Sequence, residues 1–271
     1  MLLQRVLTAL LLAPLAIAII LLPTTPWFAA ICAAVFVAAL EEWLRLAGVR
    51  GRWSRLAWLG IAAALYGLLW STHTGMVGTA VITLGIGWWL LAFAWLRHFA
   101  FAAAPTTENR RLKLLAGLCV TLPAWLALIA LHGHEPHGPW WTLLALIIVW
   151  AADIGAYFSG RAFGKRKLAP QISPGKTRAG AYGAVVAGLL VCLVGGSLLG
   201  VHGAALIGLG LLGVVTVIAS IIGDLLESLM KRHAGVKDSG SIFPGHGGLL
   251  DRLDSVFAAL PVFALGLRWI L

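Results

Sequence analysis

Between Ser228 and Ser255 an otherwise apolar chain carries its densest run of residues able to do chemistry. Lys231, Arg232, Lys237 and Arg252 can hold phosphates as charge-assisted donors, Asp238, Asp251 and Asp254 can hold a divalent cation through oxygen, and the interspersed glycines let backbone approach a ligand. Asp224 and Glu227 stand just before this run, three residues apart, a spacing that puts both carboxylates on one face of a continuing helix. Asp251 and Asp254 repeat that spacing. Two helix ends, each offering two carboxylates, can together form an oxygen-rich cage for Mg2+. A carboxylate near a bilayer costs roughly 2.5–3.5 kcal/mol even on a forgiving scale, so such acids persist with a partner or a function. Blander roles exist for each: Asp224 and Glu227 solvated or paired with Lys231, and Asp251 and Asp254 capping a helix N-terminus. His246 lies in Pro244-Gly245-His246-Gly247-Gly248, which cannot be regular helix. Its imidazole can donate to a phosphate, act as an acid toward a leaving group, or cap the helix that follows.

The elements that must position these groups are membrane helices. Of 271 residues 61% are hydrophobic and only 11% charged, too apolar for an ordinary soluble domain. Hydropathy predicts an all-α, polytopic transmembrane protein with about nine spans, near 6–22, 26–44, 56–71, 76–96, 113–131, 140–158, 181–199, 203–222 and 256–271. The chain reads as one integral membrane domain, residues 1–271, with N-terminal helices over 1–140, a catalytic region with its loops over 150–255, and a last span over 256–271. The first segment is read as a retained helix, since Pro14 splits it and no small-x-small cleavage site clearly follows.

The net charge of +10 is distributed by loop, which excludes a nucleic-acid surface gathered on one domain. With the N-terminus inside, every Lys and Arg except Arg268 falls on the inner side, and the loops around 23–26, 71–75, 132–139 and 200–203 carry none. This pattern predicts an odd number of spans, a cytoplasmic N-terminus, and three polar stretches (153–180, 223–238 and 245–255) on one side of the membrane.

The stretch Ser228–Asp254 resembles the signature of the phosphatidate cytidylyltransferases, also called CDP-diacylglycerol synthases. That pattern runs Ser-x-apolar-Lys-Arg, four residues, Lys-Asp, a spacer, then His-Gly-Gly-apolar-x-Asp-Arg-apolar-Asp, and it is matched throughout. The segment from Asp153 to Gly180 is similar to the family as well, in Asp-x-x-Ala-Tyr-Phe and in Ser-Pro-x-Lys-Thr, although Arg178 and Ala179 replace the usual Trp and its neighbour. The resemblance implies transfer of the cytidylyl group of CTP to phosphatidate, with release of pyrophosphate, in phospholipid biosynthesis. It implies a catalytic set of Asp224, Asp251, His246 and Lys237. Mg2+ would be bound first by Asp224 and Asp251, assisted by Glu227 and Asp254, and a second, monovalent cation is linked to the family. Substrate would be met by Ser173, Lys176, Thr177, Ser228, Lys231, Arg232, Asp238 and Arg252. The expected partners are CTP, phosphatidate and the lipid bilayer, with no nucleic acid and room for a homodimer. The expected location is the bacterial inner (cytoplasmic) membrane.

Other features carry less. Gly175-Lys176-Thr177 imitates the end of a P-loop, but the required first glycine falls on Pro170 and no strand is expected before it. Glu41 and Glu42 near Arg45 read as an interfacial pairing, with a supporting role at the site as the alternative. His132, His134, Glu135 and His137 lack regular ligand spacing. Cys32, Cys119 and Cys192 lie unpaired in apolar segments. The tryptophans that flank the spans, Trp43 and Trp141 among them, read as interfacial anchors. An ion-coupled transporter is the rival reading, but it predicts broken helices in two halves, whereas the acids here cluster in one half beside basic loops. A CDP-alcohol phosphotransferase is disfavoured because Asp-Gly-x-x-Ala-Arg is absent.

Overall fold

A computed structural model describes residues 2–243 and 247–271, with residues 2–10 described by backbone alone. The described residues form nine α-helices, one over each apolar segment: α1 (Leu2–Leu21), α2 (Thr25–Leu46), α3 (Arg52–Trp70), α4 (Met76–Leu96), α5 (Thr107–His132), α6 (Gly138–Phe163), α7 (Arg178–Leu198), α8 (Gly203–His233) and α9 (Leu250–Ile270). Seven of them, α2 and α4 to α9, are long and apolar enough to cross a membrane, which makes this a multi-pass membrane protein. The apolar part of α1 is the shorter stretch Leu11–Leu21, and α3 begins with Arg52 and Arg55 in its first turn.

One element departs from the all-helical expectation. Between α6 and α7 the chain forms an antiparallel hairpin of β1 (Lys167–Ala169) and β2 (Ser173–Thr177), with Lys167 opposite Thr177. Pro170 and Pro174 exclude helix there, and the short strands pair with each other. Gly175-Lys176-Thr177 therefore belongs to a strand and not to a phosphate loop. Thr177 ends β2 and caps α7 by accepting from the Gly180 amide at 3.0 Å.

Two helix pairings build the functional half: α6 lies along α7, and α8 along α9. The second is very close. At Gly223 a Cβ would run into the Asp254 carbonyl and stand 3.0 Å from the Ala258 methyl, so only glycine lets the two helices cross there. The buried core is largely Leu, Ile, Phe and Ala, with α5 the most enclosed of the seven long helices.

Several polar side chains inside the bundle serve packing. His132 is buried, stacked on Phe28 at 4.2 Å, and its ring nitrogens bond Thr25 Oγ1 and the Ile20 carbonyl at 2.9 Å each, so it is a structural histidine. Trp27, Trp53, Trp140 and Trp269 are exposed as anchors should be. Trp43 and Trp141 correct the sequence reading, for both are buried, and Trp43 donates its indole N–H to the Lys113 carbonyl at 2.7 Å.

Candidate active site

The helix α8 does not stop where its apolar run ends. It continues through Asp224, Glu227, Ser228, Lys231 and Arg232 to His233, so residues 224, 227, 228 and 231 share one face, as the spacing predicts. That face meets the first turns of α9. The close crossing at Gly223 brings Asp224 and Glu227 to Asp254, and carboxylate oxygens of the three lie within 4.8 Å of one another. Like charges held so close repel strongly unless cations lie among them.

Two lysines supply positive charge from different directions. Lys176, at the end of β2, forms an ion pair with Asp224, whose other oxygen accepts from Ser228 Oγ at 3.3 Å. Lys231 is buried between two acids, its Nζ 2.5 Å from Glu227 Oε2 and 2.6 Å from Asp251 Oδ1. Both Glu227 oxygens are buried; Oε2 has the Lys231 ammonium as its partner, and Oε1 has none among the described residues. Three converging carboxylates, one of them with an orphaned oxygen, are a donor set suited to a hard cation such as Mg2+.

Asp251 stands apart from this trio. Its Oδ2 accepts from the Ser239 amide (2.9 Å), Ser239 Oγ (2.9 Å) and the Gly248 amide (2.7 Å), while Oδ1 faces Lys231. These contacts make Asp251 an anchor of the residues before α9, while Oδ1, with Lys231 as its one donor, keeps a further acceptor position. Asp254 accepts from the Ser255 amide at 2.6 Å.

Beside the carboxylates lies a cavity of about 450 Å³ between α6, α7, α8 and the hairpin. About half of its lining residues are Ala, Gly, Leu and Ile, and Asp153, Tyr157, Arg161, Lys176 and Asp224 are its charged or aromatic groups. The cavity and the carboxylate trio share Asp224. An apolar pocket with a few convergent charged groups is the usual form of a small-molecule site.

The remaining sequence candidates fall at the rim. Arg232, exposed, donates to the Ile172 carbonyl at 3.3 Å and so ties the hairpin to α8. Lys237 and Asp238 are exposed on the turn after α8, and Arg252 is exposed on the first turn of α9 with no ion pair among the described residues. Ser173 is half-buried in β2, and Ser228 is buried. His246 lies outside the described residues. All three polar stretches thus meet at one end of the bundle.

Two further acids stand at or beside the site: Asp153, which lines the cavity, and Glu42, whose interfacial pairing was the first reading and a supporting role the alternative. Asp153 was visible as an acid within an apolar segment, the same signal that marked Asp224. Glu42 is more telling. Its neighbour Glu41 pairs with Arg45 and Arg55 near the surface, but Glu42 is 3% exposed and accepts from Ser239 Oγ, Leu249 N and Leu250 N, beneath the signature loop.

The chain is similar in sequence to known proteins over most of its length. The chain is 43% identical over 270 residues to a phosphatidate cytidylyltransferase of Pseudomonas aeruginosa, covering 99% of this chain and 97% of that one. It is 36% identical over 287 residues to the enzyme of the same name from Haemophilus influenzae, covering 97% and 98%. A Staphylococcus epidermidis phosphatidate cytidylyltransferase is 42% identical over 161 residues, 58% of this chain and 60% of that one. The family model described as "Cytidylyltransferase family" matches residues 3–270, and on that match, spanning nearly the whole length, the chain belongs to the cytidylyltransferase family.

Proposed function

We propose that this protein transfers the cytidylyl group of CTP to phosphatidate, giving CDP-diacylglycerol and pyrophosphate. The observation that carries the reading is the convergence of Asp224, Glu227 and Asp254, countered by Lys176 and Lys231, beside a largely apolar cavity at one end of the helices. A phosphate monoester has its second pKa near ~6 and is mostly dianionic at neutral pH, so the lipid phosphate needs no base and the enzyme no covalent nucleophile. A lipid phosphate oxygen forms the new bond to the α-phosphorus of CTP. The bond from that phosphorus to the bridging oxygen breaks, and pyrophosphate departs with the electron pair.

The obstacles are repulsion between two anions and charge on the departing group. Asp224, Glu227 and Asp254 would hold Mg2+, which when bound supplies charge stabilisation to the phosphoryl oxygens. Lys176 reaches from the hairpin to the cavity side of Asp224 and presents its ammonium to the substrate phosphates. Lys231, held between Glu227 and Asp251, keeps the trio's geometry from below. Arg232, Lys237 and Arg252, exposed at the rim, attract CTP from the aqueous phase. The acyl chains remain in lipid while the headgroup enters the cavity.

We also read all nine helices as crossing the membrane, with the N-terminus and catalytic loops cytoplasmic and the C-terminus outside, because this places every Lys and Arg but Arg268 on one side. Single cysteines at positions 136 and 240, in a background without the native three, should label from opposite sides; labelling from one side would refute this topology. For the reaction, purified protein in detergent is given phosphatidate, Mg2+ and each labelled nucleotide in turn. Product formation from CTP supports the reading, and no transfer from any cytidine nucleotide refutes it. No observation favours a transporter, since the clustered acids come from adjacent helices of one half.

A further inference from the structure

We infer that Glu42, on a helix outside the catalytic signature, is a positioning residue for the reaction, fixing where the first turn of α9 presents Asp251 and Asp254. The inference rests on the reading of Asp224, Glu227 and Asp254 as the reacting centre.

The helix α9 begins without a cap of its own, because Leu249 at its N-cap has no side-chain acceptor. Glu42 supplies one from α2: Oε1 accepts from Leu249 N at 3.0 Å and Oε2 from Leu250 N at 2.9 Å. A negative charge at this end of α9 also complements the helix dipole. The same Oε2 lies 2.6 Å from Ser239 Oγ, which is itself 2.9 Å from Asp251 Oδ2. One hydroxyl proton is thus shared between two carboxylates, Glu42 holding Ser239, Leu249 and Leu250 and Asp251 holding Ser239 and Gly248. Asp251 holds Lys231, and Lys231 holds Glu227. A continuous set of charge-assisted contacts therefore runs from α2 to the carboxylate trio.

The glycines of the signature fit the same account. A Cβ at Gly248 would strike the Glu42 carboxylate, and one at Gly240 would lie 2.5 Å from Glu42 Oε1. These positions are glycine because a buried acid from another helix occupies the space a side chain would take. A cap needed for stability alone could come from a local Ser or Asp. A cap reaching across from α2, with its carboxylate buried, fixes the height and rotation of α9 against the rest of the bundle. Catalytic geometry is sensitive to displacements of about 1 Å, which can cost about 100-fold in rate.

The test uses the full-length protein in detergent with phosphatidate and CTP. Glu42→Gln keeps the shape but turns an amide donor toward donors. Glu41→Gln, one residue away with only surface partners, is the control. The expected result is a kcat at least about tenfold lower in Glu42→Gln, with the CTP KM within about twofold of the unaltered protein and a cooperative unfolding transition retained, while Glu41→Gln stays near normal. A kcat per folded molecule within about twofold of normal would overturn the inference. If Glu42→Gln does not accumulate, Ser239→Ala is read the same way: a kcat lowered at least about threefold at unchanged KM supports the role, and an unchanged kcat overturns it. Asp254→Asn separates the premise from the inference. An active Asp254→Asn enzyme sinks the site reading, whereas an inactive one beside a normal Glu42→Gln sinks only the role of Glu42.

Discussion

Replacing Lys231 by Met keeps the stem of the side chain and removes only its charge. The ammonium stands 2.5 Å from Glu227 Oε2 and 2.6 Å from Asp251 Oδ1, and the side chains of the three are 11%, 2% and 6% exposed. With an effective dielectric of about 20, each pair is worth about 4 kcal/mol of attraction at 4 Å, set against a desolvation penalty of several kcal/mol per ion. The net value of forming the network is therefore small. Breaking it is another matter, because two buried carboxylates then face each other without a cation, and such a loss typically costs about 3–5 kcal/mol. Lys231→Met should be destabilised by that amount in unfolding followed by tryptophan fluorescence in mixed detergent micelles. Lys231→Met/Asp251→Asn should recover part of it, with a coupling of about 1–3 kcal/mol between the two sites. A loss below about 1 kcal/mol, the value of a screened surface pair, would refute the reasoning. If that small loss came with a raised CTP KM, Lys231 would instead be a phosphate ligand, as its place in the signature first suggests.

The other expectations concern the trio and its approach. Asp224→Asn and Asp254→Asn should each lower CDP-diacylglycerol formation at saturating Mg2+ by at least about two orders of magnitude while inserting normally; a near-normal rate removes that residue from the trio. Lys237→Ala, at an exposed turn, should raise the CTP KM more than it lowers kcat in steady-state kinetics with CTP varied. Gly223→Ala drives a methyl into the Asp254 carbonyl and should cost about 1–3 kcal/mol and much of the activity. Gly208→Ala on the same helix, whose nearest neighbour would be Ile270 at 3.7 Å, should be silent in both assays.

The apolar segments announced the helices, and the errors lie where charge begins. The segment read as 203–222 is helical to His233, and the one read from 256 starts at Leu250. Hydropathy stops at the first acid, but a helix continues wherever its polar face has partners, and Asp224, Glu227 and Lys231 find theirs inside the bundle. The spacing of Asp224 and Glu227 gave their common face, and the repeat at Asp254 its meeting partner, because i, i+3 geometry is local. The separation of Asp251 from the trio was not legible, since it depends on Ser239 and Gly248 in a loop of irregular backbone. Lys176 was expected to meet substrate, and only the pairing of β2 with β1 shows how it reaches Asp224. Glu42 was the hardest to see, because its three donors lie 197 to 208 residues away and no local spacing reports them.

That separation along the chain also sets an order of events in biosynthesis. The helix α2 leaves the ribosome early, and at about 5–20 residues per second the donors for Glu42 follow roughly 10–40 s later. During that interval its carboxylate has none of its three final partners, and an unpaired charge resists burial in lipid. The C-terminal end of α2 must therefore stay in contact with water until α9 arrives, and the closing of this seam is a late step of assembly. A nascent chain that stops short of residue 239 can lodge its early helices in the bilayer, but it offers the quality-control machinery of the membrane an exposed acid where the finished protein has none.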